Sequence, residues 1–241
     1  MSEIETAASG PSGGELPRGG ADVEPDRAVD AFSCLTVVRH PLVRHKMSIL
    51  RDTSTERKLF RELVDEIGML LAFEVTSDLT LEERTVRTPL AETTGWEVDQ
   101  DAFVLVPILR AGLGMVEGFR RLMPFLNVGH IGLQREEDTL EPVDYYFKIP
   151  PRAGERSFIV VDPMLATGGT AVEAVRYLKD SGARNLRFAC IVAAPEGVGR
   201  MEEEHPDVPV YAAALDHGLD DRGFIVPGLG DAGDRLFGTK E

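Results

Sequence analysis

Short, wholly apolar runs alternate along this chain with longer stretches whose apolar residues recur every three or four positions. Phe158-Ile159-Val160-Val161 and Val104-Leu105-Val106-Pro107-Ile108-Leu109 are of the first kind, and each predicts a buried β-strand. Asn185–Ala194 and Val208–Leu215 predict two more, with Asp216 closing the last, and Val128–Leu133 predicts a fifth. The second kind begins beyond Leu50-Arg51-Asp52. Leu59, Phe60, Leu63, Val64, Ile67, Leu70 and Leu71 share one helical face, with Thr53, Ser54 and Thr55 as candidate caps. Ala171–Leu178 is a second helical pattern, and a short helix is expected near Gly197–Glu204. Strands alternating with helices predict an α/β fold, a twisted and mainly parallel sheet flanked by helices.

In such a sheet ligands bind at the carboxyl ends of the strands. The Phe158 strand ends in an acid, Asp162, and then Pro163-Met164-Leu165-Ala166-Thr167-Gly168-Gly169-Thr170. A glycine-rich loop at a helix N-terminus directs free backbone N–H groups at an anion. Gly168 and Gly169 let the backbone close around a phosphate, and Thr167 and Thr170 add hydroxyl donors. Asp162 suits ribose hydroxyls rather than phosphate oxygens. A phosphorylated sugar fits all of these groups. A Walker A loop needs Lys after its last Gly, where this chain has Thr170, and the spacing of a dinucleotide fingerprint is absent. The run resembles the phosphoribosyl-diphosphate loop of the type I phosphoribosyltransferases. Most of that family carry two adjacent acids before the loop. Pro163 in the second position makes this variant similar to the uracil phosphoribosyltransferases.

Three further motifs lie in the order that family leads one to expect, and the resemblance covers roughly residues 36–240. Arg110-Ala111-Gly112-Leu113-Gly114-Met115 follows the Val104 strand. Its Arg offers a planar, bidentate cation, and its glycines permit close backbone approach to a diphosphate. The family's corresponding loop often holds a cis peptide bond beside the Arg. Gln134–Lys148 is a charged, aromatic excursion that suits a mobile hairpin over a site. Its counterpart in the family closes over the diphosphate, with Arg135 matching a phosphate-contacting Arg. Gly223–Asp234 contains so much Gly, with an internal Pro, that it reads as an ordered loop with free backbone groups. It resembles the family's uracil-binding hood, within 217–238. The resemblance implies that Ile225, Gly230 and Ala232 present backbone to the base, and that Asp231 lies near the sugar diphosphate or its metal. His40-Pro41-Leu42-Val43-Arg44-His45-Lys46 resembles an arm used in subunit contact.

At 241 residues and 43% hydrophobic content, one α/β domain over 34–241 has enough length for a sizeable core. Residues 1–33, broken by Gly10, Pro11, Gly13, Gly14, Pro17, Gly19, Gly20 and Pro25, read as a disordered tail. That tail has neither the basic start nor the apolar core of a signal peptide. No apolar run approaches the roughly 20 residues of a membrane span. Cys34 and Cys190 give no disulfide framework, and a cytoplasmic location is expected. The formal net charge of -15 argues against nucleic acid as a partner, because non-specific affinity for it comes from basic residues. Lys occurs only at positions 46, 58, 148, 179 and 240. Abundant acid with scarce Lys is the pattern of a halophilic chain, since concentrated salt screens its self-repulsion.

The resemblance implies transfer of the phosphoribosyl group of 5-phosphoribosyl 1-diphosphate to N1 of uracil, giving UMP and diphosphate. Mg²⁺ is implied as cofactor, with Asp231 as its protein contact, and Arg110, Arg135 and Asp231 as the catalytic group. A homo-oligomer is implied as well. Family members can respond to GTP or CTP, and GTP is the activator to test. Two alternatives remain at the level of sequence. A pyrimidine-responsive RNA-binding regulator of the same fold would need a basic face. A purine or orotate phosphoribosyltransferase would carry paired acids before the loop.

Overall fold

The structure is a computed structural model that describes residues 31–135 and 142–239. Strand β1 (Leu35–Val37) leads into helices α1 (Pro41–Arg51) and α2 (Arg57–Val75). An antiparallel hairpin follows, β2 (Glu82–Arg87) and β3 (Glu92–Glu97), then β4 (Phe103–Leu109) and α3 (Leu113–Leu122). Next come β5 (Asn127–Val128), β6 (His130–Arg135) and β7 (Pro142–Lys148). Strands β8 (Ser157–Val161) and β9 (Met164–Leu165) precede α4 (Gly169–Asp180), which is followed by β10 (Asn185–Ala193) and α5 (Pro195–Glu204). The chain finishes with β11 (Val210–Leu215), the short strands β12 (Gly218–Leu219) and β13 (Ile225–Val226), and α6 (Ala232–Phe237).

The main sheet runs β1-β11-β10-β8-β4-β6-β7, with β5 on β4 and β9 on β10. Every pairing in it is parallel except β6 with β7. The wholly apolar central strands have a simple cause: both of their faces are covered. Leu105, Ile159, Val161, Ala189 and Ile191 point into a core shared with α1, α2, α3 and α6. Val104, Val106, Phe158, Val160, Phe188 and Cys190 point into the opposite core, under α4 and α5. Cys34 and Cys190 are both free and buried. Helices α2 and α3 approach closely because Gly118 sits against the Asp65 carbonyl, where a Cβ has no room.

Several details depart from the sequence pattern. The Thr53–Thr55 segment does not cap α2, which starts at Arg57 after Glu56 and has no side-chain cap. Thr55 Oγ1 instead donates to Ile49 O at 2.5 Å, holding the turn out of α1. Leu59, assigned to the apolar face, is 42% exposed, whereas Phe60, Leu63, Val64, Ile67 and Leu71 are buried. The expected subunit arm at His40–Lys46 is mostly helix α1, with His40 Nδ1 accepting from the Leu42 N–H at its N-cap. The 223–234 run is less irregular than its composition suggests, because β13 lies within it and α6 begins at Ala232. Of the proposed tail, residues 1–30 lie outside the described residues, and Ser33 donates from both N–H and Oγ to Glu202. No described helix is long and apolar enough to cross a membrane.

Candidate active site

Three chain segments meet at the carboxyl ends of β4 and β8. Arg110 and Ala111 follow β4, Asp162 and Met164 follow β8, and the carboxyl-terminal segment contributes Arg222, Gly223, Phe224, Asp231, Ala232 and Gly233. Together they line a cavity of about 350 Å³. The Leu109–Arg110 peptide bond is cis. Gly112 explains how this loop comes so near Asp162: a Cβ there would stand 2.5 Å from the Val161 carbonyl oxygen, the last residue of β8. The loop after β4 therefore rests directly on the end of β8, and only glycine allows it.

Asp162 is partly buried, and burial pushes its carboxyl up to about 7. The hydrogen bond it accepts from the Met164 N–H, at 3.1 Å, pulls the other way and is the weaker influence. A carboxylate so little solvated gains from the hydroxyl donors of a ribose.

The segment after β8, which includes β9, has two parts with different duties. Pro163 O accepts from the Ile191 and Val192 N–H groups, and Leu165 O accepts from the Ala194 N–H. Leu165 is 1% exposed in the core under α4 and α5. Pro163 and Leu165 thus anchor the loop to β10, while Met164, Ala166, Thr167 and Thr170 retain partial exposure. Gly168 takes φ 78°, a left-handed conformation, at the N-cap of α4, and no side chain caps that helix. The first-turn N–H groups of α4 consequently lack a helical partner, the arrangement from which a helix N-terminus can bind an anion. Thr167 lies beside the hood, 3.8 Å from where a Gly223 Cβ would be.

In the hood, Ile225 is 4% exposed, packed in strand β13 into the core, and neither it nor Gly230 is among the residues that line the cavity. Gly230 is exposed, with φ 74°. Ala232 opens α6, and Asp231 caps it by accepting from the Asp234 N–H at 2.9 Å. Among the described residues no group of three or more His, Cys, Asp or Glu side chains is placed to hold a metal by itself. Asp162 and Asp231 nevertheless share one cavity wall. One or two carboxylates completed by substrate phosphate oxygens is the usual donor set of Mg²⁺, so these residues fit a metal that arrives with a diphosphate.

Arg110, Asp162, Met164, Asp231 and Ala232 are brought together as the sequence predicts. Thr167–Thr170 form an adjoining loop rather than the same cavity wall. Arg135 is the last residue of β6, paired with Pro142 across the hairpin, and the tip beyond it lies outside the described residues. Sequence reasoning missed three basic residues. Arg222 lines the cavity, its guanidinium 5.4 Å from the Phe224 ring centroid. Arg200, on α5, comes within 3.2 Å of a Cβ built on Gly169. Arg51 reaches the hood from α1. Only Arg222 carried a signal, its place inside the hood segment.

A parallel sheet with a diphosphate-type loop after β4, an acid and anion loop after β8, and a carboxyl-terminal hood defines a type I phosphoribosyltransferase. The profile of the family described as uracil phosphoribosyltransferase matches residues 37–239. The chain belongs to the uracil phosphoribosyltransferase family. It is 57% identical over 209 residues to the uracil phosphoribosyltransferase of Exiguobacterium sibiricum, covering 87% of this chain and 100% of that one. The uracil phosphoribosyltransferase of Listeria innocua is 58% identical over 204 residues, covering 85% of this chain and 98% of the relative. A solved structure of a protein from Aquifex aeolicus superposes with a TM-score of 0.80 at 37% identity, over 86% of this chain and 99% of the other. The adenine phosphoribosyltransferase of Trypanosoma brucei shares the fold at 12% identity, with a TM-score of 0.54 over 81% of this chain and 89% of its own.

Proposed function

We propose that this chain transfers the phosphoribosyl group of 5-phosphoribosyl 1-diphosphate to N1 of uracil, forming UMP and releasing diphosphate. The observation that carries this reading is the single cavity in which Arg110, Asp162 and the Asp231–Ala232 turn converge from three separate segments. The anomeric carbon gains oxocarbenium character as diphosphate leaves, so catalysis is mostly alignment and charge stabilisation. Arg110, in the lining of that cavity, is the guanidinium to hold two diphosphate oxygens, with Arg135 as its partner from the hairpin. The free N–H groups at the start of α4 and the Thr167 and Thr170 hydroxyls bind the 5′-phosphate. Asp162 accepts from ribose hydroxyls. Backbone groups of Ile225, Gly230 and Ala232 read the two carbonyls and the ring N–H donors of uracil. Mg²⁺ bound with the substrate neutralises developing charge on the diphosphate, with Asp231 as its protein contact.

A homo-oligomer belongs to the same reading. The β2–β3 hairpin is exposed along nearly its whole length, with Leu90 97% and Trp96 60% exposed, which supports burial against another copy. The -15 charge and scarcity of Lys support activity in a saline cytoplasm. GTP is carried as the candidate activator on family resemblance alone.

UMP formation is the test, from uracil and phosphoribosyl diphosphate with Mg²⁺, at low and at multimolar KCl, with and without GTP. Cytosine, hypoxanthine and orotate run in parallel. Turnover of uracil alone is expected, and turnover of another base instead would mean that the hood has been misread. Sedimentation of the active protein measures the assembly.

A further inference from the structure

The hood is held from beneath by an ion pair that lies outside the cavity, its carboxylate buried and its Arg side chain 24% exposed. Arg51, the last residue of α1, meets Asp216, the residue after β11, through two prongs: Nη1 to Oδ2 at 2.7 Å and Nη2 to Oδ1 at 2.5 Å. Both then engage the same hood residue. Arg51 Nη1 donates to the Gly228 carbonyl at 2.6 Å, and the Gly228 N–H donates to Asp216 Oδ2 at 2.8 Å. Asp216 is 7% exposed, and Gly228 is buried.

We infer that Arg51 and Asp216 are positioning residues for the base: their fork fixes the hood in the conformation in which its backbone addresses uracil. The inference rests on the proposal that the hood binds uracil. Both hydrogen-bonding groups of the Gly228 peptide are consumed by the pair. That residue therefore serves as the hood's anchor and leaves recognition to its neighbours, Ile225 three positions before it and Gly230 two after. Gly228 has φ 61°, and a Cβ there would collide with the Ile225 carbonyl, so anchor and base-facing residue belong to one tight turn. A displacement of Gly228 must pass to Ile225. The two-pronged geometry matters because a guanidinium–carboxylate fork fixes direction as well as distance. Fold stability alone gives no reason to keep such a pair, since apolar residues of similar volume often serve equally well in a buried position. What the apolar alternative cannot do is hold both sides of the Gly228 peptide.

The link joins two distant parts of the chain. The α1 helix rests on α2 through Val43, Met47 and Leu50, all buried in the same core as Ile225 and Leu229. Arg51 thus transmits the position of a rigid core to a segment whose own elements are short: β12, β13 and the six-residue α6.

The test separates uracil from phosphoribosyl diphosphate. In Asp216→Asn the KM for uracil is expected to rise about 10- to 100-fold, the scale of a small misplacement of a binding group. The KM for phosphoribosyl diphosphate should stay within about twofold, and kcat at saturating uracil should largely survive. Arg51→Lys, which keeps the charge but not the fork, is expected to fall between the native chain and Arg51→Met. The double variant Arg51→Met/Asp216→Leu leaves no buried charge unpaired, and its thermal midpoint separates loss of folding from loss of positioning. A folded double variant with a selective rise in uracil KM upholds the inference. A folded variant with unchanged uracil KM, or with both KM values raised equally, overturns it. If the native protein itself does not use uracil, the functional reading has failed rather than the positioning role.

Discussion

The carboxylate of Asp162 accepts its hydrogen bond from the Met164 N–H at 3.1 Å, yet burial still lifts its pKa to about 7. In an unfolded chain an aspartate titrates near ~3.9. A folded value above the unfolded one means that its contribution to stability is fully present below the unfolded pKa and is lost as pH rises through about 7. Asp162→Asn escapes that loss, so its thermal midpoint should gain on the native protein between pH 5 and pH 8. Activity should move the opposite way, because only the ionised carboxylate accepts from ribose hydroxyls without itself donating. The native kcat/KM for phosphoribosyl diphosphate is expected to rise with pH through about 7. In Asp162→Asn that limb disappears, leaving the titration of the substrate phosphate near ~6. A limb near 7 that persists in the variant would assign it elsewhere.

Gly112 makes a second, purely steric prediction. An added methyl would meet the Val161 carbonyl at 2.5 Å and the Ile108 N and O atoms at 2.7 Å, all of them backbone. Backbone cannot swing aside as a side chain can. Gly112→Ala should therefore cost roughly 1–3 kcal/mol, as overpacking does. Because the same shift moves Arg110, it should also raise the KM for phosphoribosyl diphosphate. Urea unfolding and steady-state kinetics on the same preparation would show both effects, and a stable variant with native KM would refute the close approach.

The parts of this fold that could be read from sequence are those where one local pattern has one physical cause. Strand β4 is wholly apolar, and β8 and β10 are apolar beyond their first residues, because both sheet faces are covered, and the Asp, Gly and Thr residues at the end of β8 mark a ligand loop. The β2–β3 hairpin gave no such signal. Glu82-Glu83-Arg84-Thr85-Val86-Arg87 buries almost nothing, so no hydrophobic alternation shows it to be a strand. Helix α6 was hidden by the glycines before it, although Asp231 is an ordinary N-cap with its bond three residues on. Arg51 was illegible for another reason. Its partner Asp216 stands 165 residues away, and only the folded sheet brings the carboxyl end of β11 beside the end of α1.

Arg200 tests the anion loop. Its Nη1 lies 3.2 Å from a Cβ built on Gly169, and Thr167 Oγ1 lies 3.8 Å from the same point, so cation and hydroxyl flank one edge of the loop. An exposed cation beside a bound dianion contributes modestly, on the order of 1 kcal/mol or a few-fold in affinity, and less in salt. Arg200→Gln is expected to raise the KM for phosphoribosyl diphosphate a few-fold at low KCl, with little change in the KM for uracil. The difference should shrink at multimolar KCl. An effect that does not depend on salt would point to packing against Gly168 rather than to charge.

The α2–α3 contact that supports the Arg110 loop has its own electrostatic weak point. Asp65 Oδ2 pairs with Arg121 at 3.0 Å, while Oδ1 is buried with no hydrogen-bond partner among the described residues. Desolvation raises the Asp65 pKa and Arg121 lowers it, desolvation being the larger influence. With the folded value above the unfolded one, this carboxyl costs stability as pH rises from the unfolded value through the folded one. Arg121→Met removes the opposing cation and so enlarges that cost. Because the Arg side chain is 56% exposed, solvent screens it, and the loss at pH 7.5 is expected to be about 1 kcal/mol rather than that of a fully buried pair. As pH falls and Asp65 takes up its proton in both proteins, the difference should shrink. Denaturant titrations of the native chain and the variant over a series from acid pH to pH 7.5 would measure it, and an equal loss throughout would show that Arg121 contributes packing of its stem rather than charge.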